Sequence, residues 1–84
     1  MTRLYPAGVP LTVTIDKAGQ PRRFIWQGRT HHIQQIRQRW QVDTEWWQER
    51  IWRAYFAVTT TEGLLCVLYH DLAADAWYLS KLYD

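Results

Sequence analysis

Residues 9–28, VPLTVTIDKAGQPRRFIWQG, decide the fold class, because their apolar side chains recur at every second position. From Val9 to Ile15 the apolar residues alternate with Pro and Thr, which is typical of a strand with one buried face. Residues 16–21 contain Gly and Pro and predict a turn. A second alternating segment reaches Trp26 and stops at Gly28, where we expect a positive φ or a close approach of the backbone. Together these segments predict a β-hairpin.

The second half of the chain repeats this pattern. Residues 52–58 alternate, residues 64–69 form a nearly continuous apolar run typical of a central strand, and residues 77–83 predict a last strand. The connections at 59–63 and 71–75 are short. We therefore predict an all-β fold of five or six antiparallel strands, arranged as a highly curved sheet or small barrel. The large side chains expected in or around its core are Trp26, Trp40, Phe56 and Trp77.

The segment between these halves is ambiguous. Ile33, Ile36 and Trp40 follow the i, i+3, i+7 spacing of an amphipathic helix. A long strand with a β-bulge near Gln34-Gln35 would also return both isoleucines to one face, with Trp40 following at period two. Periodicity alone leaves both interpretations of residues 30–41 open.

Residues 43–48 predict one short helical turn, because Asp43 or Thr44 can accept a hydrogen bond from a following N–H group. Trp46 and Trp47 are adjacent, so they cannot both face one core along a strand. We expect at least one of them to be exposed and predict both as candidate partner-binding residues. The alternative is a lid in which both rings cover an open end of the barrel.

Length and composition exclude several classes of protein. The 84 residues are 48% hydrophobic and 15% aromatic, which excludes a disordered chain and predicts a single domain over residues 1–84. Cys66 is the only cysteine, which excludes a disulfide scaffold. No apolar run is long enough to span a membrane, and the first residues lack the apolar region of a signal peptide. We expect a cytoplasmic protein.

Positive charge is concentrated in the middle of the chain. The formal net charge is +2, but residues 22–53 hold seven of the eight arginines and only three acids. Arginine between exposed aromatic rings suits single-stranded nucleic acid, because the guanidinium binds phosphate and the ring stacks on a base. The alternative is a solvated exterior on which arginine stems cover aromatic rings. The candidate nucleic-acid-binding residues are Arg23, Arg37, Arg39, Arg53 and Tyr55.

Catalytic and metal-binding signals are weak. His31-His32 and His70-Asp71 contain zinc-ligand residue types, but neighbouring histidines on a strand point to opposite faces and no cysteine pair accompanies them. Cys66 lies in an apolar run, where burial raises a thiol pKa. No nucleophile elbow, phosphate-binding loop or dinucleotide fingerprint is present. We expect no catalytic residue, no metal and no cofactor, and therefore no enzyme.

An ordered series of motifs carries a resemblance to a known family. The series is Trp26-Gln27-Gly28-Arg29, then Ile33, Ile36 and Arg39-Trp40, Trp46-Trp47, residues 53–58 (RAYFAV), residues 68–71 (LYHD), Trp77-Tyr78-Leu79 and Tyr83-Asp84. It resembles a small bacterial domain-of-unknown-function family. It is also similar to the C-terminal extension of the inactive, Y-family-polymerase-like protein of bacterial mutagenesis cassettes. The resemblance implies a β-rich fold, which favours the bulged strand over residues 30–41, and it supplies no catalytic residues.

Two functional hypotheses follow. The first is a non-enzymatic interaction module with an unknown protein partner, acting as an accessory in bacterial DNA repair or damage tolerance as the resemblance implies. The second is weak, sequence-tolerant binding of single-stranded nucleic acid through the Arg/Tyr surface. A homo-oligomer is compatible with either hypothesis. Neither a membrane nor a small-molecule ligand is indicated by the sequence.

Overall fold

The computed structural model of the chain describes residues 2–46 and 49–83, with the side chains of Trp46 and Glu49 left out. Every regular element in these ranges is a β-strand, and they contain no helix long and apolar enough to cross a membrane. Each strand is antiparallel to the next, and the last strand pairs with the first, which closes a barrel. The all-β prediction is therefore confirmed. The six strands are β1 (Thr2–Ile15), β2 (Pro21–Trp26), β3 (Arg29–Trp46), β4 (Glu49–Thr60), β5 (Leu65–Asp71) and β6 (Ala76–Tyr83).

The barrel consists of two sheets that share their long strands. The first part of β1, up to Leu11, pairs with β6, whereas its end pairs with β2. In the same way, β3 pairs with β2 over residues 29–32 and with β4 from Ile33 onward. The larger sheet therefore contains β6, β5, β4 and parts of β1 and β3, and the smaller sheet contains β2 and the remaining parts. The sheets enclose one apolar core between their inner faces.

The core is formed by alternate residues of the strands. Trp26 and Trp77 are partly buried against it, and Phe56 lies within it, so these three core predictions are confirmed. Burial raises the pKa of the Cys66 thiol to about 12, as its apolar sequence neighbours predict. The buried core residues are Phe24, Phe56, Val58, Cys66, Leu68, Leu79 and Leu82.

Residues 30–41 belong to a strand with two irregularities, so the bulged-strand interpretation is confirmed. The register shifts between Ile33 and Gln35, and both Ile33 and Ile36 pack against the core. A second shift follows immediately after Ile36 and reverses which face the next residues occupy. Trp40 consequently pairs with Tyr55 on the outer face and is 38% exposed. The prediction that Trp40 contributes to the core is wrong, because it allowed for only one bulge.

The prediction of a helical turn near 43–48 is also wrong for residues 43–46, which the structure describes. Residues 43–46 continue β3 and pair with residues 49–52 of β4, while residues 47–48 lie outside the described ranges. Asp43 does not cap a helix; its carboxylate accepts hydrogen bonds from Nε and Nη2 of Arg50, both at 3.2 Å. Strand pairing prevails because the ladder from the barrel simply continues, whereas an isolated helical turn must bear the cost of nucleation.

The turn between β2 and β3 confirms the expectation for Gly28. Trp26 and Arg29 pair directly, so Gln27 and Gly28 form a two-residue hairpin loop. Their φ angles are 52° and 74°, as a type I′ turn requires at both central positions. Glycine at the second position adopts this backbone without strain.

Candidate functional site

Four aromatic side chains form a row across the outer face of the larger sheet, one from each of four adjacent strands. Ring centroids are 5.3 Å apart between Trp40 and Tyr55, 5.2 Å between Tyr55 and Tyr69, and 5.1 Å between Tyr69 and Tyr78. Each contact joins directly opposed residues of neighbouring strands. Such cross-strand aromatic pairs stabilise a sheet and fix its register. We call these four residues the aromatic row.

Arg53 lies on the aromatic row. Its Cζ atom is 4.5 Å from the centroid of the Tyr69 ring, and its Nη1 donates a 3.3 Å hydrogen bond to Oη of Tyr55. That hydrogen bond is the main cause of the raised Arg53 pKa. Tyr69 is only 3% exposed, and burial raises its pKa. The guanidinium is thus held in a fixed position over the rings by a cation–π contact and a hydrogen bond.

Gly8 allows β1 to approach the aromatic row closely. It lies within the register irregularity between Leu4 and Val9 and has a φ of 75°. A Cβ atom at this position would lie 2.5 Å from Oη of Tyr69 and 3.0 Å from Cβ of Tyr78. The close approach therefore requires a residue without a side chain.

A groove of about 720 Å³ opens beside the aromatic row on the same face. Trp40, Tyr55 and Tyr83 supply aromatic surface, and Arg37 and Lys81 supply positive charge. The remaining lining is small, polar or aliphatic, and no acidic side chain is among the described residues that line the groove. This combination suits a ligand that carries both flat rings and negative charge.

The structure brings together three of the five predicted nucleic-acid-binding residues. Arg37 and Tyr55 line the groove, and Arg53 is hydrogen-bonded to Tyr55. Arg39 pairs with the core residue Phe56, which places it on the opposite strand face from Tyr55. Arg23 lies on β2 in the smaller sheet, where it pairs with residue 32.

Sequence reasoning missed three of the five aromatic and positively charged residues of the groove. Trp40 was assigned to the core, and Lys81 and Tyr83 were not singled out. Alternation around the buried Leu82 is the signal that places Lys81 and Tyr83 together on the outer face.

The predicted partner-binding pair, Trp46 and Trp47, lies only in part within the described residues. Trp46 is the last residue of β3, but its side chain and the whole of Trp47 are outside the described residues. Their role in binding a partner therefore stays a prediction.

Two of the three histidines, His31 and His70, each form a hydrogen bond with one carboxylate. Nδ1 of the buried His31 donates to Oε2 of Glu62 at 2.8 Å, beside a second cavity of about 380 Å³. Nε2 of His70 donates to Oδ1 of Asp75 at 2.8 Å, while its ring stacks on Trp77. Across residues 2–46 and 49–83, no three His, Cys, Asp or Glu residues are grouped as a metal site would require.

Comparison with known proteins identifies a family without a known function. No curated protein and no solved structure matches the chain. A family model described as a domain of unknown function, DUF6504, matches residues 9–84. The match covers all of the barrel except the first part of β1, including every residue that lines the groove. The chain therefore belongs to the DUF6504 family.

Proposed function

We propose that this domain is a non-enzymatic binding module whose groove binds single-stranded nucleic acid. The observation that carries the proposal is the combination of Arg37 and Lys81 with the aromatic rings of Trp40, Tyr55 and Tyr83 in one groove, where no described lining residue is acidic. Cations in such a groove follow the phosphates, and the rings stack on bases.

The orientation and exposure of the Trp40 ring support base stacking. Its ring is nearly parallel to that of Tyr55, with an interplanar angle of 6°, yet Trp40 remains 38% exposed. A ring supported on one side loses little freedom when a base stacks on its remaining surface. Because every base has a flat face, contacts of this kind are tolerant of sequence.

Fluorescence anisotropy with a labelled oligothymidylate across a salt series tests the electrostatic part of the proposal. Arg37→Gln/Lys81→Gln should weaken binding and reduce the slope of log K against log[salt] by about 1.4, because each phosphate contact to a single strand contributes about 0.7. The matched control is Lys17→Gln/Arg23→Gln, which removes the same charge from exposed positions outside the groove. No binding at low ionic strength, or equal losses in both variants, would contradict the proposal.

Trp40→Ala tests the stacking part. We expect a cost of about 1–3 kcal/mol in binding, as for other rings that stack on a base. The exposed position of Trp40 should leave the fold intact, which circular dichroism can verify. Unchanged affinity would show that the aromatic surface takes no part.

A protein partner is the second candidate, supported by the length of the β3–β4 hairpin. β5 pairs with β4 only as far as Arg53, and β2 pairs with β3 only as far as His32. Residues 43–46 and 49–52 therefore form a two-stranded arm that extends past the neighbouring strands. Ile51 of this arm is an exposed large hydrophobic residue. The edges of such a two-stranded arm can pair with a strand of a protein partner.

Affinity capture from a bacterial lysate tests the second candidate. Wild type should retain a protein that the Trp46→Ala/Trp47→Ala variant loses, whereas identical partner sets would argue against the tryptophan pair. An accessory role in bacterial DNA repair or damage tolerance is compatible with either ligand and rests on the resemblance in sequence.

A further inference from the structure

The strand β3 has a long open edge. β4 pairs with it from Ile33 to Trp46, but β2 covers its other side only over residues 29–32. Among the described strands, β3 contacts only β2 and β4. Residues 37–45 are all exposed except Val42, which is half-buried. An open edge of this length presents backbone N–H and C=O groups that can pair with another strand.

The sequence of this edge is complementary to itself. When residues 37–45, RQRWQVDTE, are placed antiparallel to a second copy and centred on Gln41, Arg39 lies opposite Asp43 and Arg37 lies opposite Glu45. Trp40 lies opposite Val42 in the same alignment. Opposite charges and an aromatic–β-branched pair are favourable neighbours across antiparallel strands.

We propose that two copies of this chain associate through residues 37–45 of β3, paired antiparallel about a two-fold axis at Gln41. This association is additional to the proposed binding of nucleic acid. Each cross-strand contact then occurs twice, as two-fold symmetry requires. The two larger sheets become one continuous sheet, and both open edges gain hydrogen-bonding partners.

Existing contacts within the chain are compatible with this pairing. Arg39 pairs with Phe56 and Asp43 with Trp52, so the register places Arg39 and Asp43 on the same strand face. Arg50 already donates two hydrogen bonds to the Asp43 carboxylate. A carboxylate has about four acceptor positions and can also accept from Arg39 of a second copy.

The mixed charge of the edge favours a second copy over a foreign peptide of one charge. An acidic strand would satisfy Arg37 and Arg39 but would also face Asp43 and Glu45, whose charges it repels. A basic strand would satisfy Asp43 and Glu45 but would be repelled by Arg37 and Arg39. The chain's own sequence places an opposite charge at all four positions.

Sedimentation velocity over a range of protein concentrations tests the proposal. Wild type should form dimers, whereas Arg39→Asp and Asp43→Arg should each place like charges opposite one another and weaken self-association at least tenfold. Mixing these two variants should restore a dimer, because every mismatched pair becomes attractive again. The Arg39→Asp/Asp43→Arg double variant should associate with itself for the same reason.

Arg23→Asp makes the same charge change on β2 of the smaller sheet, away from the edge, and should leave dimerisation unchanged. Arg37 lies in the groove as well as on the edge, so the test varies Arg39 and Asp43 instead. A monomeric wild type at all concentrations, or a mixture that stays monomeric although circular dichroism shows both variants to be folded, would overturn the proposal.

Cross-linking tests the register independently. Directly opposed residues of antiparallel strands have Cα atoms about 4.5–5.5 Å apart, which is within the range that a disulfide can bridge. Gln41→Cys should therefore form a covalent dimer under mild oxidation, while the buried Cys66 stays unreactive. Gln38→Cys is the control, because residue 38 faces Thr44 of the second copy. Equal cross-linking of both variants, or none at position 41, would contradict the proposed register.

Discussion

Both faces of the larger sheet contain buried side chains, but different neighbours bury them. On the inner face, Leu68 is completely buried and packs within the core between the sheets. On the outer face, Val67 and Tyr69 are 5% and 3% exposed, although none of the described strands forms a second sheet over them. Tyr69 is covered by neighbouring rings, Arg53 and the close approach of β1 at Gly8. The comparison shows how one sheet can support a core and, on its other side, a rigid row of aromatic side chains.

The largest expected effect comes from truncating one residue on each face, which compares how much the two faces contribute to the free energy of unfolding. Leu68→Ala should lower the free energy of unfolding by about 2–5 kcal/mol, because it leaves a cavity between the two sheets. Val67→Ala removes fewer atoms from the outer face and should cost less than half as much. Denaturant unfolding measures both variants. Equal losses would show that the outer face contributes to stability as much as the core does.

Gly8→Ala should have the next largest effect. The added methyl group meets Tyr69 and Tyr78 at 2.5–3.0 Å, and the positive φ is unfavourable for alanine. We expect a loss of about 2–4 kcal/mol from overpacking and backbone strain together. Removal of the Tyr69 hydroxyl in Gly8→Ala/Tyr69→Phe should recover part of this loss, as a double-mutant cycle would measure. If the two substitutions changed the free energy of unfolding additively, the close approach of residue 8 to the Tyr69 hydroxyl would be contradicted.

Gly28→Ala measures the cost of backbone strain without a steric clash. Gly28 has nearly the same φ as Gly8, but a Cβ atom there would have no neighbour within 4 Å. The substitution should lower the free energy of unfolding by about 1 kcal/mol, through backbone strain alone. An unchanged denaturation midpoint would remove the requirement for a positive φ at this turn.

The comparison of the faces also explains what the sequence could predict. Period-two alternation is sufficient to identify β2, β4, β6 and the second half of β1, the core residues of β4, and the outward direction of Arg53 and Tyr55. It left residues 30–41 open between a helix and a strand. It could not locate Trp40, because the second register shift in β3 follows from pairing with β4 and has no periodicity of its own. The strand at 43–46 was missed for a related reason, since its local capping signal is weaker than continued pairing with β4.

The smallest expected effect is on the pH dependence of stability and comes from the ionisation of Tyr69 on the outer face. Burial raises the pKa of Tyr69 in the folded state, so the unfolded chain releases this proton at lower pH. The corresponding stability is present below about pH 10, the ordinary tyrosine pKa, and is lost as the pH rises through the folded value. Wild type should therefore lose more stability than Tyr69→Phe between pH 9 and the alkaline limit of folding. Parallel pH profiles of the two denaturation midpoints would contradict the burial of this phenol.

An NMR titration of the labelled protein with a short oligothymidylate tests the central claim most directly, since it locates the binding surface on the fold. The account predicts chemical-shift changes concentrated at the indole of Trp40 and at the backbone amides of Tyr55, Lys81 and Tyr83, with the smaller sheet around Arg23 unaffected. A spectrum that does not change, or changes concentrated on the smaller sheet, would contradict the assignment of the groove as a nucleic-acid-binding site.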